Sequence, residues 1–89
     1  NYNNSTASHG NLSWIQGNWK CYVDVFGVQK EYRVGISDEY ITVFMAGEHY
    51  YTGPYRISGD MITYKDNYLL IDFDRHVIMA DKSTDMYRF

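Results

Sequence analysis

The sequence has a single cysteine, a single proline and no long apolar run. With Cys21 alone, a disulfide within the chain and a metal site built from cysteines are both excluded. No apolar run approaches the roughly 20 residues of a membrane-spanning helix, so no transmembrane segment is expected. The eight lysines and arginines stand isolated along the chain, against eleven acidic residues. Nucleic acid is not an expected partner, because no basic stripe is available to contact phosphates.

What the sequence does contain is material for β-strands. Hydrophobic residues make up 45% and aromatic residues 18% of the 89 positions, and ten residues are tyrosines. Aromatic and β-branched side chains pack well on a pleated surface, and the seven scattered glycines suit short strands separated by turns. The length is sufficient for one domain. We therefore predict one all-β domain.

The first thirteen residues (NYNNSTASHGNLS) differ from the rest of the chain. They are polar, rich in asparagine and serine, and without periodicity. Such a segment buries too little apolar surface to offset the entropy lost on ordering. The composition therefore predicts a flexible polar leader at residues 1–13, followed by the domain at residues 14–89.

Regular alternation begins in residues 14–26 (WIQGNWKCYVDVF). Apolar side chains occupy every second position there: Trp19, Cys21, Val23 and Val25. Successive side chains of a strand point to opposite faces, so these four share the inward face of a first long strand. On that face Cys21 is expected to be a small buried apolar residue.

Further strands are predicted along the remainder of the chain, at residues 28–36, 40–45, 48–57, 61–65, 68–73, 76–80 and 86–89. The turns between them are short, as in antiparallel hairpins, and no helical period is long enough to connect parallel strands. The pattern therefore predicts an antiparallel up-and-down meander of about eight short strands. Such a meander closes into a small barrel if the first strand pairs with the last.

Two sites interrupt the strand pattern. Lys30 breaks the apolar face of the second predicted strand, which places it near a barrel mouth. Gly53 and Pro54 lie inside the segment 48–57, where the proline removes a ladder donor and the glycine provides no side chain. A bulge or sharp bend is predicted there, at a point where a barrel strand turns its corner.

The Gly-x-Trp element on the first strand, together with an arginine in the last one, resembles the lipocalin-like, or calycin, group of β-barrels. The matching residues are Gly17, Trp19 and Arg88. In that group the tryptophan plugs one end of the barrel and a late arginine packs across its ring, so the resemblance implies structural barrel closure for these residues. The run GPYRISGDMITYKDNYLLID is also similar to small lipocalin-like domains of secreted or lipid-anchored proteins from Bacteroides-type bacteria. This similarity implies a location at the bacterial cell envelope, in the periplasm or on the cell surface.

The interior of such a barrel is either filled by side chains or leaves space for one small molecule, and both arrangements remain open. The expected inward residues are mostly large: Trp19, Tyr32, Tyr55, Tyr64, Ile71 and Phe73. Tyrosines combine rigid contact area with a polar tip, and five are candidate ligand-binding residues: Tyr32, Tyr50, Tyr51, Tyr55 and Tyr64. In the alternative, one residue of the adjacent pair Tyr50 and Tyr51 faces the core and the other is an ordinary cross-strand surface residue.

No reaction is indicated by the polar residues. Asp72, Asp74 and His76 alternate around a tight turn, but carboxylates at hairpin turns are usually solvated turn formers, and an enclosed cation site needs more ligands. The three histidines are dispersed along the chain, and none accompanies an obvious nucleophile. We expect no metal, no cofactor and no enzymatic activity.

Two functions fit this architecture. The first is a non-enzymatic lipocalin-like domain that binds a small apolar or amphipathic ligand at the barrel mouth. The alternative is a ligand-free β-barrel interaction module that docks a protein or glycan partner through a tyrosine-rich surface at residues 49–55. The first requires an internal cavity, and the second requires an exposed apolar patch of several hundred Å². The domain is expected to be a monomer or a weak homodimer, which pairs through strand edges if the short last strand fails to close the barrel.

Overall fold

The computed structural model describes residues 12–89, and within this range one turn of 3₁₀ helix (Ser13–Ile15) precedes ten β-strands. The strands are β1 (Gly17–Val25), β2 (Val28–Ile36), β3 (Tyr40–Met45), β4 (Glu48–Pro54), β5 (Arg56–Ser58), β6 (Met61–Tyr64), β7 (Asn67–Asp72), β8 (Val77–Asp81), β9 (Thr84–Asp85) and β10 (Tyr87–Arg88). Paired neighbours run antiparallel. The prediction of an all-β antiparallel meander is therefore confirmed. No helix in this range has the length and apolar character to cross a membrane.

The strands form two five-stranded sheets. Sheet 1 has the order β10-β1-β2-β3-β4, and sheet 2 has the order β5-β6-β7-β8-β9. The chain crosses from sheet 1 to sheet 2 at Tyr55, between β4 and β5, and crosses back at Met86, between β9 and β10. As a result β1 pairs with the last strand, with Trp19 opposite Arg88. Neither sheet closes on itself within residues 12–89, so the observed architecture is a two-sheet meander.

One predicted strand is divided at a crossing, and the short strand β9 forms between the predicted strands at residues 76–80 and 86–89, which raises the strand number from about eight to ten. The predicted strand at residues 48–57 breaks at Tyr55, directly after Pro54, because a proline cannot donate to a continuing ladder. The predicted strand at residues 86–89 becomes β10 alone, with Met86 as the crossing residue. Met86 is 2% exposed, and its N–H donates to the carbonyl oxygen of Ile78 over 2.8 Å. Burial of this side chain therefore holds the turn between the sheets.

The core lies between the two sheets. Its fully enclosed side chains come from both of them: Ile41, Val43, Ile62, Leu69 and Ile78, each with 0% exposure. Of the six residues expected to fill the barrel interior, four are buried, namely Trp19, Tyr32, Tyr64 and Ile71. Tyr55 and Phe73 are half-buried and pack against this core. Large side chains thus fill most of the space between the sheets, as in other closely packed interiors.

The last residues of the predicted leader belong to the folded domain. Residues 1–11 of the predicted leader lie outside the described residues, whereas Leu12 is buried and Ser13 begins the 3₁₀ turn.

Cys21 is 2% exposed in the centre of β1. Burial, with a smaller contribution from the charge of Asp81, raises the pKa of its thiol to about 11. The thiol is therefore protonated and poorly nucleophilic in the folded protein.

Candidate functional site

Three residues singled out by the resemblance meet at one end of the fold, here called the closed end. Trp19 is 3% exposed, and the guanidinium carbon of Arg88 lies 4.3 Å from the centroid of its ring. The indole N–H of Trp19 donates to the carbonyl oxygen of Ile15 over 2.8 Å. Arg88 also donates to the carbonyl oxygens of Gln16, over 2.9 Å, and Trp14. The two side chains therefore join the 3₁₀ turn, β1 and β10.

Gly17 makes the approach of Arg88 possible. Its φ of +116° lies in a region that L residues rarely adopt. A Cβ atom at this position would also lie 3.0 Å from Nη1 of Arg88. Glycine is thus required at the closed end both for its backbone conformation and for the close passage of the arginine.

Two of the five candidate tyrosines link the sheets through the interior. The hydroxyls of Tyr32, on β2, and Tyr64, on β6, lie 2.5 Å apart and form a hydrogen bond. Burial, followed by this hydrogen bond, raises the pKa of Tyr32 well above its ordinary value. Burial likewise raises the pKa of Tyr64, although the hydrogen bond with Tyr32 opposes that shift. Both hydroxyls stay protonated at physiological pH, so this pair serves as a polar link between the sheets and not as a base.

Tyr51 extends this interior cluster. Its ring stacks on that of Tyr64, with centroids 5.6 Å apart, and its hydroxyl donates to the carbonyl oxygen of Pro54 over 3.0 Å. The ring lies over Gly53, where an added Cβ would be 2.5 Å from the Tyr51 hydroxyl oxygen. Gly53 therefore provides the space that the Tyr51 ring occupies.

Tyr50 occupies an irregular position in β4. Val43 pairs with Tyr51 and Phe44 with His49, so the register shift leaves Tyr50 as the extra residue of a β-bulge. Tyr50 is 38% exposed and reaches the turn between β6 and β7. There Asn67 donates to its hydroxyl over 3.0 Å, and the Lys65 ammonium lies 4.6 Å from its ring centroid.

Tyr55 lines a shallow depression together with Tyr51 and Tyr64, and its hydroxyl reaches a turn of sheet 1. At the first crossing between the sheets, its hydroxyl donates to the carbonyl oxygen of Ser37 over 2.6 Å. It is also 3.2 Å from the carbonyl oxygen of Asp38. Burial, with the charge of Asp38, raises its pKa. Tyr55 thus ties the crossing to the turn between β2 and β3.

A groove of about 380 Å³ opens between the two sheets at the far end of β1. We call it the open-end groove; its lining residues on β1, Val23 and Val25, lie about 14 to 20 Å along the strand from Trp19, at ~3.4 Å per residue. Its lining comes from both sheets: Val23, Val25, Lys30, Glu31, Tyr32, Met45, Ala46, Asn67, Tyr68, Ala80 and Asp81. The walls are mainly apolar and the charged groups stand among them, which is the usual composition of a small-molecule site.

Only part of this groove was visible in the sequence. Tyr32 and Lys30 line it. The sequence predicted Tyr32 as a candidate ligand-binding residue and placed Lys30 near a barrel mouth. Within the described range, the other four candidate tyrosines are not among its lining residues. The alternation in the sequence does place Val23 and Val25 on the inward face of β1. It does not show how far the opposite sheet covers that face.

The polar residues of the β7–β8 turn form an ion-pair network. Arg75 donates to Asp72 over 2.7 Å and to Asp85 over 2.8 Å, and these bonds lower the pKa of both carboxyl groups. His76 stacks instead on the Trp14 ring, with centroids 4.5 Å apart. Among residues 12–89 there is no group of three or more His, Cys, Asp or Glu side chains placed to hold a metal ion.

No family model, curated protein or solved structure matches this chain. The fold class that is shown is therefore the antiparallel two-sheet meander. The function has to be argued from the geometry of the site itself.

Proposed function

We propose that this domain is a non-enzymatic binding module that takes a small apolar or amphipathic ligand into the open-end groove. The observation that carries the proposal is the apolar space left between the sheets, with Val23, Met45 and Tyr68 on its walls. A volume of about 380 Å³ falls within the range of small-molecule pockets. An apolar chain in this groove would complete the burial that the two sheets leave unfinished at this end.

The proposal includes a barrel architecture for the two sheets. We regard the two sheets as the halves of a small lipocalin-like barrel, whose corners are the single-residue crossings at Tyr55 and Met86. Strands that change sheets through such bends form the corners of many packed β-folds. Trp19 and Arg88 would then close one end, and the ligand would enter at the other. The location at the cell envelope stays a prediction from the sequence resemblance.

One cation among the lining residues of the groove, Lys30, offers a partner to an anionic headgroup. Glu31 is already close to two cations, with 4.0 Å to Lys20 and 3.3 Å to Arg33. The Asp81 carboxylate accepts hydrogen bonds from the N–H and hydroxyl of Ser83. Lys30, by contrast, forms no ion pair with any residue in the range 12–89. Its ammonium is therefore available to a carboxylate at the end of an apolar chain.

The expected affinity is modest. Burying about eight methylene groups contributes roughly 6 kcal/mol, at ~0.8 kcal/mol for each. Loss of translational and rotational freedom costs at least ~4 kcal/mol, while the charge pair at the rim adds little in water. At most about 2 kcal/mol remains, so a medium-chain fatty acid should bind with a dissociation constant on the order of tens of millimolar.

A dye-displacement titration tests this proposal. An environment-sensitive apolar dye should bind saturably, at about one site per chain, and decanoate should displace it. Tyr68→Ala should weaken binding about tenfold, because Tyr68 lines the groove. Tyr87→Ala is the matched control, since Tyr87 is similarly exposed, at 48% against 54% for Tyr68, but lies outside the groove lining. Lys30→Met should weaken decanoate more than decanol. Absence of saturable binding, or equal losses in both tyrosine variants, would contradict the proposal.

The alternative, a ligand-free interaction module, has weaker support. Its tyrosine-rich surface at residues 49–55 is largely engaged within the fold, because Tyr51 stacks on Tyr64 and Tyr50 bonds to Asn67. If a fully folded protein binds no amphiphile, this alternative becomes the better account.

A further inference from the structure

The outer face of sheet 1 has a second depression, which we call the outer cleft. It has a volume of about 430 Å³ and shares no lining residue with the open-end groove. Its floor is a row of three residues on neighbouring strands, in which Gly35 pairs with Asn18 on one side and Thr42 on the other. Tyr40 and Phe89, each 55% exposed, stand at its rim.

Gly35 occupies the centre of this floor without a conformational need for glycine. Its φ lies outside the left-handed region, so its backbone would accept any residue. Glycine in the interior of a strand weakens the strand and often marks a place where a ligand approaches the backbone. A Cβ at this position would lie 3.2 Å from Oδ1 of Asn18. The missing side chain therefore keeps the cleft open and allows the Asn18 carboxamide to lie over its floor.

The groups around this floor match the chemistry of a sugar ring. Tyr40 and Phe89 offer aromatic surface to the apolar C–H faces of a pyranose. Asn18 and Thr42 offer neutral groups that both donate and accept hydrogen bonds, as sugar hydroxyls require. A hydroxyl network extends the polar floor, since the hydroxyl of Thr52 donates to that of Thr42 over 3.3 Å.

The charges beside the cleft select among sugars. Arg33 lines it, and Lys20 lies next to it with its ammonium 4.9 Å from the ring centroid of Phe89. These two cations share a single carboxylate, that of Glu31. The ion pair of Arg33 leaves its buried Nε without a hydrogen-bond partner in residues 12–89. Arg33 is the one charged side chain among the residues that line the cleft, so the lining is positive in a protein whose formal net charge is −3.

From this arrangement we propose that the outer cleft is a binding site for an acidic sugar residue, a hexuronate at the end of or within a glycan. The sugar ring lies over Gly35 between Tyr40 and Phe89, and its carboxylate faces Arg33. This site is independent of the amphiphile groove, so either proposal stands if the other fails.

Calorimetric titration of the whole chain with tri-galacturonate tests the proposal, with neutral galactotriose as the matched probe. Tri-galacturonate should bind saturably and more weakly as salt rises, because exposed charge pairs are screened. Gly35→Val should reduce the affinity at least tenfold by filling the floor. Valine suits a central strand, so this variant should stay folded and should still bind the apolar dye at the open-end groove.

Further variants separate the two components of recognition. Tyr40→Ala should weaken tri-galacturonate about tenfold, whereas Tyr22→Ala should not, since Tyr22 is 45% exposed but lies outside the cleft lining. Arg33→Gln should remove the preference over galactotriose. The proposal is overturned if tri-galacturonate does not bind saturably, if galactotriose binds equally well to the unaltered protein, or if a folded Gly35→Val variant retains full affinity.

Discussion

Replacement of Trp19 by alanine should remove much of the stability of the domain. The side chain is 3% exposed, and truncating a buried aromatic ring to alanine costs about 3–5 kcal/mol. The variant also loses the contact with Arg88 at 4.3 Å, which contributes ~0.5 to 2 kcal/mol. The expected loss is thus roughly 3.5–7 kcal/mol, while small domains have unfolding free energies of about 5–15 kcal/mol. Trp19→Ala should therefore lose a large fraction of the stability of the domain.

Urea denaturation followed by far-UV circular dichroism measures this loss. Trp14→Ala is the matched control, because Trp14 is half-buried and its ring contacts Trp19 only edge-on, with centroids 6.4 Å apart, while its other ring contact is with His76. Its loss should be clearly smaller. A change for Trp19→Ala within about 0.5 kcal/mol, as for an ordinary surface substitution, would refute the role of this residue at the closed end.

Three further predictions concern the tyrosine cluster and the ion-pair network. Gly53→Ala should cost about 1–3 kcal/mol through overpacking, and urea titrations should show this cost disappearing in a Tyr51→Ala background, where the ring over Gly53 is absent. Tyr64→Phe should cost about 1–3 kcal/mol by leaving the Tyr32 hydroxyl unpaired, and adding Tyr32→Phe should recover part of it; equal losses for the single and double variants would contradict the buried link. The two aspartates bound by Arg75 have lowered pKa values, so their stabilisation is present above the ordinary value of 3.8 and is lost as the pH falls through their folded pKa values. Thermal melts should therefore show a smaller acid destabilisation for Arg75→Gln than for the wild type, and parallel curves would count against the network.

Local pattern was sufficient to place most strands, because alternation and turns are properties of neighbouring residues. The bounds of β2 and β3 match the predicted ones. The inward face of β3 was undetermined from sequence, since Tyr40, Ile41, Val43, Phe44 and Met45 are apolar on both faces. The structure places Ile41 and Val43 inside, a choice that depends on the opposite sheet and not on β3 itself.

The remaining features depend on contacts between distant parts of the chain. The division of the meander into two sheets follows from the burial of Met86 at the second crossing. The bulge at Tyr50 also escapes an alternation pattern, because it depends on the register between β3 and β4. The open-end groove combines residues from β1, β2, β3, β7 and β8, so its existence is decided by the distance between the sheets.

The most direct test of the central claim, ligand binding in the open-end groove, is a two-dimensional amide NMR titration with decanoate. The account predicts saturable shift changes confined to amides along the groove, including Val23, Lys30 and Ala80, with the closed end around Trp19 unchanged. Saturable changes confined to residues 49–55, or no changes in a well-dispersed spectrum at tens of millimolar decanoate, would contradict it.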